Sequence, residues 1–382
     1  MIKKTLQLSL SLLMVIHVTW GQVITIESKS PVAYKDKVIA IPWETIKTAY
    51  NGIDTGNLKI TDATTKTELV YQFEFQGSKE IRNLLVQLNL KPNGTVKLLL
   101  QKGKHGAFVA KTYGRFVPER KEDFAWENDR IGFRMYGREL EKTPKENAFG
   151  VDVWVKRTDR LIINERYKRG EYHVDHGDGM DYYHVGLTLG AGGIMPYRDD
   201  SIWYSKNYTS YKVLDNGPLR TTFQLAYDAW DVAGKQVTAT KTVSLDAGSQ
   251  LSKVTVEYNY ADGSSMPVVV GIIKRAEPGA ALLNEKEGIL GYWEPQHGVD
   301  GTTGVGCVIP APVTKMEVRR GQFLAHSTYN NAPFTYYAGA AWDKAGVIRN
   351  EKQWFDYLAD FKQQVTNENF VIHTAGTKSH DK

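Results

Sequence analysis

Val237 to Tyr260, VTATKTVSLDAGSQLSKVTVEYNY, decides the fold class. Val237, Ala239, Val243 and Leu245 alternate with Thr238, Thr240, Thr242 and Ser244. After a Gly-containing break, Val254, Val256, Tyr258 and Tyr260 alternate with Thr255, Glu257 and Asn259. Successive side chains of a strand point to opposite faces, so a period of two means one face packed and the other wetter. The same pattern recurs at 23–28, 38–42, 69–75, 84–90, 96–101, 130–136, 151–156, 219–226, 268–274 and 334–341. Turns such as Pro92-Asn93-Gly94 and Asp215-Asn216-Gly217 separate the runs, which predicts an all-β chain.

One late segment breaks this period. Trp354, Leu358, Phe361 and Val365 follow helical spacing among Lys352, Asp356, Asp360 and Lys362, which predicts a helix over 351–365. No Pro/Ser linker, repeat or charge block divides the chain. The expectation is therefore a single domain over 22–382, a large antiparallel β-sandwich of two extended sheets with a C-terminal helix. A two-domain β arrangement is the alternative, because the chain exceeds the usual size of one core.

Residues 1–21 read as a secretory signal: Lys3 and Lys4, an apolar run from Leu6 to Val18, then Gly21 before Gln22. A periplasmic or secreted protein is expected, with no membrane insertion, since no later stretch is long and apolar enough to span. Cys307 is the only cysteine, which excludes an internal disulfide and reads as a buried thiol. The 48 basic and 43 acidic residues are interspersed and leave a net charge of +5, which argues against nucleic acid as a partner.

The chemistry concentrates in Arg166 to Gly193, RYKRGEYHVDHGDGMDYYHVGLTLGAGG. His173, His176 and His184 lie among aspartates, tyrosines and glycines, a composition suited to a shaped loop presenting titratable groups. Histidine exchanges protons near neutrality, and tyrosine can be its partner. A metal would need ligands from elsewhere, such as His105 or an acid, with zinc the fitting ion; acid–base work needs none. A second stretch, Arg120 to Arg138, places Arg130, Arg134 and Tyr136 on one face of a predicted strand, where a guanidinium could grip a carboxylate. Trp126 could stack on a sugar, and Glu127 could bind hydroxyls. Tyr204 and Asn207, and farther on Trp293 and His297, sit in aromatic and polar stretches that could line the same groove, as could Tyr172. No serine-hydrolase elbow, HExxH, phosphate loop or dinucleotide fingerprint occurs.

The motifs DFAWENDRIGFRMYGR, GVDVWVKR, EYHVDHGDGMDYYHVGLTLGAGG, NGPLRTTFQLAY and VSLDAGSQL together resemble one family of secreted Bacteroidota proteins, catalogued as a domain of unknown function and found in loci that degrade acidic polysaccharides. The chain is also similar to an oligosaccharide dehydratase of ulvan breakdown. This resemblance implies a supersandwich of the galactose-mutarotase and lyase type and an acidic oligosaccharide as substrate. The implied reaction removes water across C4–C5 of a terminal glucuronate. It needs a cation on the carboxylate, a base at C5 and an acid at the leaving oxygen. The expected roles are Arg134 as clamp, His173 as base, and Tyr204 or His176 as acid. A polysaccharide lyase, a non-catalytic sugar-binding protein, and a glycoside hydrolase pairing Glu127 with Glu294 are the alternatives.

Overall fold

The computed structural model describes residues 22–374 apart from Asn51 and Asp262; the expected signal segment lies outside the described residues. Strands dominate, and every pairing between them is antiparallel. The stretch 237–260 forms strands Lys235–Asp246 and Leu251–Asn259, paired so that Val243 faces Val254 and Ala239 faces Tyr258. They lie inside an eight-stranded sheet that also contains Ser210–Asn216, Arg220–Val232, Phe334–Trp342, Thr303–Val308, Ile289–Trp293 and Ala280–Asn284.

The apolar half of the alternation is buried, as the period requires: Val237, Ala239, Val243, Leu245, Val254, Val256 and Tyr258. They share one core with Ile194, Val268, Val270 and Phe323 from one five-stranded sheet, and with Phe124, Trp126, Phe133, Val153 and Val155 from another. Each large apolar side chain buried this way contributes about 1.5–3 kcal/mol. Lys241 occupies an inward position of the same strand. Its ammonium lies 4.5 Å from the Tyr227 ring centroid. It borders a cavity of about 20 Å³ lined by Trp126, Phe133, Met135, Ser252 and Tyr336. Burial pushes its pKa down to about 8.

The described side chains gather in two main cores, the larger one just described and a second. Ile24, Ile26, Ile39, Ile41, Ile60, Leu84, Val86 and Leu98 form a separate N-terminal core. The C-terminal strand Phe370–Thr374 returns to pair with Gln22–Ser28 beside it. Polar contacts join the two parts. Arg220 bonds Asp246 at 2.5 Å and Glu74 at 2.9 Å, and the Asp215 carboxylate accepts the backbone N–H of Phe75 and Gln76.

The helix runs Glu351–Thr366, and the Asn350 side chain caps it by accepting the Gln353 N–H at 3.0 Å. Trp354 and Leu358 are buried against strands Ile289–Trp293 and Thr303–Val308. Glycine makes that close approach possible: a Cβ on Gly306 would stand 2.6 Å from Leu358 Cδ1. No helix among the described residues is long and apolar enough to cross a membrane.

Candidate active site

The histidine-bearing loop is anchored at both ends. Helix Ile163–Arg169 stops at Gly170, whose φ of 77° is left-handed. Nine residues later Gly179–Met180 pairs with strand Asp152–Lys156, Met180 opposite Val155. Gly179 is required there, since a Cβ would meet the Val155 carbonyl oxygen at 2.2 Å. This pairing delivers Asp181 beneath the loop.

Arg134 comes to the same place from strand Gly132–Met135, where Asp152 is its cross-strand neighbour. Its Nη2 lies 2.6 Å from Asp152 Oδ2 and 3.0 Å from Asp181 Oδ2, and its Nη1 lies 3.6 Å from Asp123 Oδ2. The rings of Tyr136, Trp154 and Tyr172 surround the guanidinium at 5.0, 5.4 and 5.8 Å. Three carboxylates oppose one buried cation, so their charges cannot all be neutralised by it. Burial pushes the Asp123 carboxyl up to about 6, against the pull of Arg134 and Arg120. Burial and then the neighbouring Asp181 charge raise Asp152, and burial raises Asp181. Arg134 itself is held firmly charged: burial opposes its charge, but Asp152, Tyr136, Asp181 and Asp123 together outweigh that.

His173 sits over this cluster, its side chain two-thirds exposed at 67%. Its Nδ1 lies 2.7 Å from the Asp181 carbonyl oxygen and 3.7 Å from the Asp181 carboxylate. A carbonyl only accepts, so Nδ1 carries the proton that bonds it, and in the neutral ring the lone pair is on Nε2. Among the described residues nothing bonds Nε2. An imidazole anchored at one nitrogen and exposed at the other, with a carboxylate behind it, has the parts a general base needs.

The sequence-derived residues divide accordingly. Arg134, Tyr136, Tyr172 and His173 come together. Tyr172 stacks on Trp154 at 5.1 Å and accepts a hydrogen bond from Arg120 Nε at 2.9 Å. Arg134, expected as a clamp on substrate, is instead enclosed behind the loop with its charge already opposed. His176 lies in the same loop with Nε2 3.7 Å from Glu171. Trp126, expected in a groove, is a core residue whose indole N–H donates to Ser252 Oγ at 3.0 Å. Glu127 is buried, paired with Lys156 at 2.6 Å while accepting the N–H groups of Ile162 and Ile163 at 2.6 and 2.7 Å. It thereby caps the Ile163–Arg169 helix and has no oxygen free for a hydrolase pair.

Arg130 is partly exposed and 4.0 Å from Asp36. Asn207 is buried, its amide donating to the Gly137 carbonyl and to Asn147. Tyr204 stacks on Phe149 at 5.1 Å and accepts from Gln322 at 3.0 Å; no described contact joins it to Asp181 or His173. Trp293 packs in the small core under the helix. His297 is exposed, 2.9 Å from Asp300 and stacked on Tyr182. His105 packs on Phe108 beside Tyr71, apart from the histidine loop. Among the described residues no three His, Cys, Asp or Glu side chains converge as a metal-ligand set; where three aspartates do approach one another, a guanidinium occupies the centre. Cys307 is a buried free thiol, its pKa raised by burial.

Residue-type reasoning missed Asp123, Asp152 and Asp181 as a set. The available signal was Asp152 inside Val151-Asp-Val-Trp-Val155, an acid within an otherwise apolar strand run.

Comparison with known proteins gives a family and a fold. The family model described as "Domain of unknown function (DUF4861)" matches residues 26–371. "Uncharacterized protein P7" of Formosa agariphila is 33% identical over 334 residues, covering 81% of this chain and 82% of that protein. A protein in glycosyl hydrolase family 38 from Enterococcus faecalis superposes with a TM-score of 0.51 at 11% identity, over 94% of this chain and 48% of that one. An α-mannosidase from Enterococcus faecalis gives 0.50 at 10% identity, over 94% and 46%. The chain spans about half the length of these two solved chains, and at such identities the likeness is one of fold.

Proposed function

This chain belongs to the DUF4861 family, and from that premise we propose that it is a carbohydrate-active dehydratase, a secreted or periplasmic hydro-lyase acting on acidic oligosaccharides such as ulvan fragments. The single observation that carries this reading is His173: Nδ1 tied to Asp181, Nε2 free and exposed. In the proposed reaction Nε2 takes the C5 proton of a terminal glucuronate. The C5–H electron pair forms the C4=C5 double bond, the C4–O bond breaks, and the leaving oxygen takes a proton to depart as water. His176, in the same loop, is the acid this reading favours over Tyr204, which bonds elsewhere. Asp181 orients the base and stabilises the imidazolium that forms, while Arg134 fixes Asp181. The supersandwich expected from the resemblance belongs to this reading, supported by the several antiparallel sheets.

The test is mass spectrometry of glucuronate-ended oligosaccharides before and after incubation, with ultraviolet absorbance followed in parallel. Loss of one water without shortening, together with new absorbance, is expected. Shortening would make the protein a lyase using the same proton abstraction. Unchanged oligosaccharides across pH and added divalent metals would remove the catalytic reading.

A further inference from the structure

The segment that carries Asp181 reaches, three residues later, a partly buried charge pair. Arg275 follows strand Met266–Ile273 and turns back onto this segment. Its Nε donates to Glu294 Oε1 at 2.7 Å and its Nη1 to the His184 carbonyl at 2.7 Å. Its guanidinium lies 4.6 Å from the Tyr183 ring centroid. The remaining nitrogen, Nη2, makes no hydrogen bond among the described residues, and the Arg275 side chain keeps 19% of its surface exposed. Unlike Arg134, this guanidinium faces one carboxylate rather than three and retains a free edge.

Two further features point to a ligand. The Tyr183 hydroxyl is buried without a partner, which is costly unless something fills its place. Tyr182, bonded to Thr303 at 2.6 Å, stacks on the exposed His297 at 5.1 Å, a flat surface suited to the C–H face of a sugar. We infer that Arg275, Glu294 and Tyr183, with the Tyr182–His297 stack beside Glu294, form a binding site for the carboxylate of an acidic sugar, the ligand taking Arg275 while Glu294 accepts a proton. The choice of sugar rests on the function proposed above; the anion chemistry rests on the site alone.

Proton uptake follows from the electrostatics. Two carboxylates cannot both stay ionised beside one half-buried guanidinium without repelling each other. Burial pushes Glu294 up to about 7, against the opposing pull of Arg275 and His297, so near neutrality a proton is gained readily. The other groups around the site are Asp300, Asp343 and Asp152, which act on Tyr182 and Tyr183, and Tyr292 with Glu277 beyond it. Arginine then offers the incoming carboxylate its two-pronged geometry. From Asp181 to His184 an extended chain spans at most about 10 Å. His173 and Arg275 are thus anchored to one short segment, a separation that a short oligosaccharide covers.

The experiment is isothermal titration of the full chain with D-glucuronate, with its methyl ester as the uncharged control, at pH 6 and pH 8. The wild type should bind the acid and not the ester, about tenfold more weakly at pH 8 because one coupled proton is lost around pH 7. Two buffers of different ionisation enthalpy should report the uptake of a proton. Glu294→Gln should bind at least as tightly as the wild type and lose the pH dependence. Arg275→Gln should weaken binding at least tenfold, with Arg275→Lys intermediate if folding of the first variant is impaired. Equal binding of ester and acid, an unchanged pH dependence in Glu294→Gln, or no binding by the folded wild type would overturn the site. Binding as described without turnover of oligosaccharides would sink the dehydratase reading and leave the site standing.

Discussion

Arg134 and His173 meet at one carboxylate: Asp181 Oδ2 lies 3.0 Å from Arg134 Nη2 and 3.7 Å from His173 Nδ1. The guanidinium and the imidazole thus converge, but through protein rather than across a cleft. Arg134 holds the Asp181 carboxylate, the Asp181 backbone carbonyl bonds the imidazole at 2.7 Å, and the exposed nitrogen is His173 Nε2.

If His173 is the base, His173→Gln keeps a hydrogen-bonding side chain but removes the titrating nitrogen. Its kcat on glucuronate-ended oligosaccharides should fall on the order of 10²–10⁴ with KM little changed. Asp181→Asn should lower kcat as well, by about 10², because the imidazolium loses its counter-charge while Arg134 keeps Asp152 and Asp123. Wild-type kcat in both variants would remove the loop from the chemistry.

Arg134→Met strands three buried carboxylates. Urea denaturation should show a loss on the order of 3–5 kcal/mol at pH 7, as when one partner of a buried ion pair is removed. The loss should shrink toward pH 5: Asp123 titrates at about 6, and below that it is neutral and needs no cation. Wild-type stability combined with lost sugar binding would instead return Arg134 to the role of substrate clamp.

Lys241 sits in the main core with a pKa lowered from 10.5 to about 8 by burial. Between those two values the unfolded chain holds a proton that the folded chain has released. Wild-type stability should therefore rise with pH from about 8 to 10.5, and the full penalty is present below 8. Lys241→Met keeps the stem's volume and removes the charge. It should stabilise the protein at pH 7 by on the order of 1–3 kcal/mol, a gain that fades above pH 10. Thermal melts at pH 7 and pH 10 measure both effects, and a destabilised variant at pH 7 would mean that the contact with the Tyr227 ring outweighs the cost of burying the charge.

The helix contact is tested from the sheet side. Gly306→Ala drives a methyl group to within 2.6 Å of Leu358, and overpacking of this kind typically costs about 1–3 kcal/mol. Gly321→Ala, where a Cβ would meet nothing within 4 Å but φ is 70°, separates backbone strain from crowding. An Ala at 306 that leaves the midpoint of denaturation unchanged would mean the helix is loosely docked.

By itself the sequence determined what depends on neighbours one to four residues apart. Alternation at 237–245 and 254–260 set the strands and their inward faces, and the spacing of Trp354, Leu358 and Phe361 set the helix. It also marked the His173 loop as polar and glycine-broken. The tertiary structure decided which charges are buried together. Arg134 finds its carboxylates 18 and 47 residues away, and Lys241 borders a cavity lined mostly by apolar side chains of other strands. Trp126 and Glu127, which looked like groove residues, went to the core and to a helix terminus for the same cause. A side chain's polarity is local, but whether its charge is opposed, and by how many partners, depends on segments brought together only when the sheets pack.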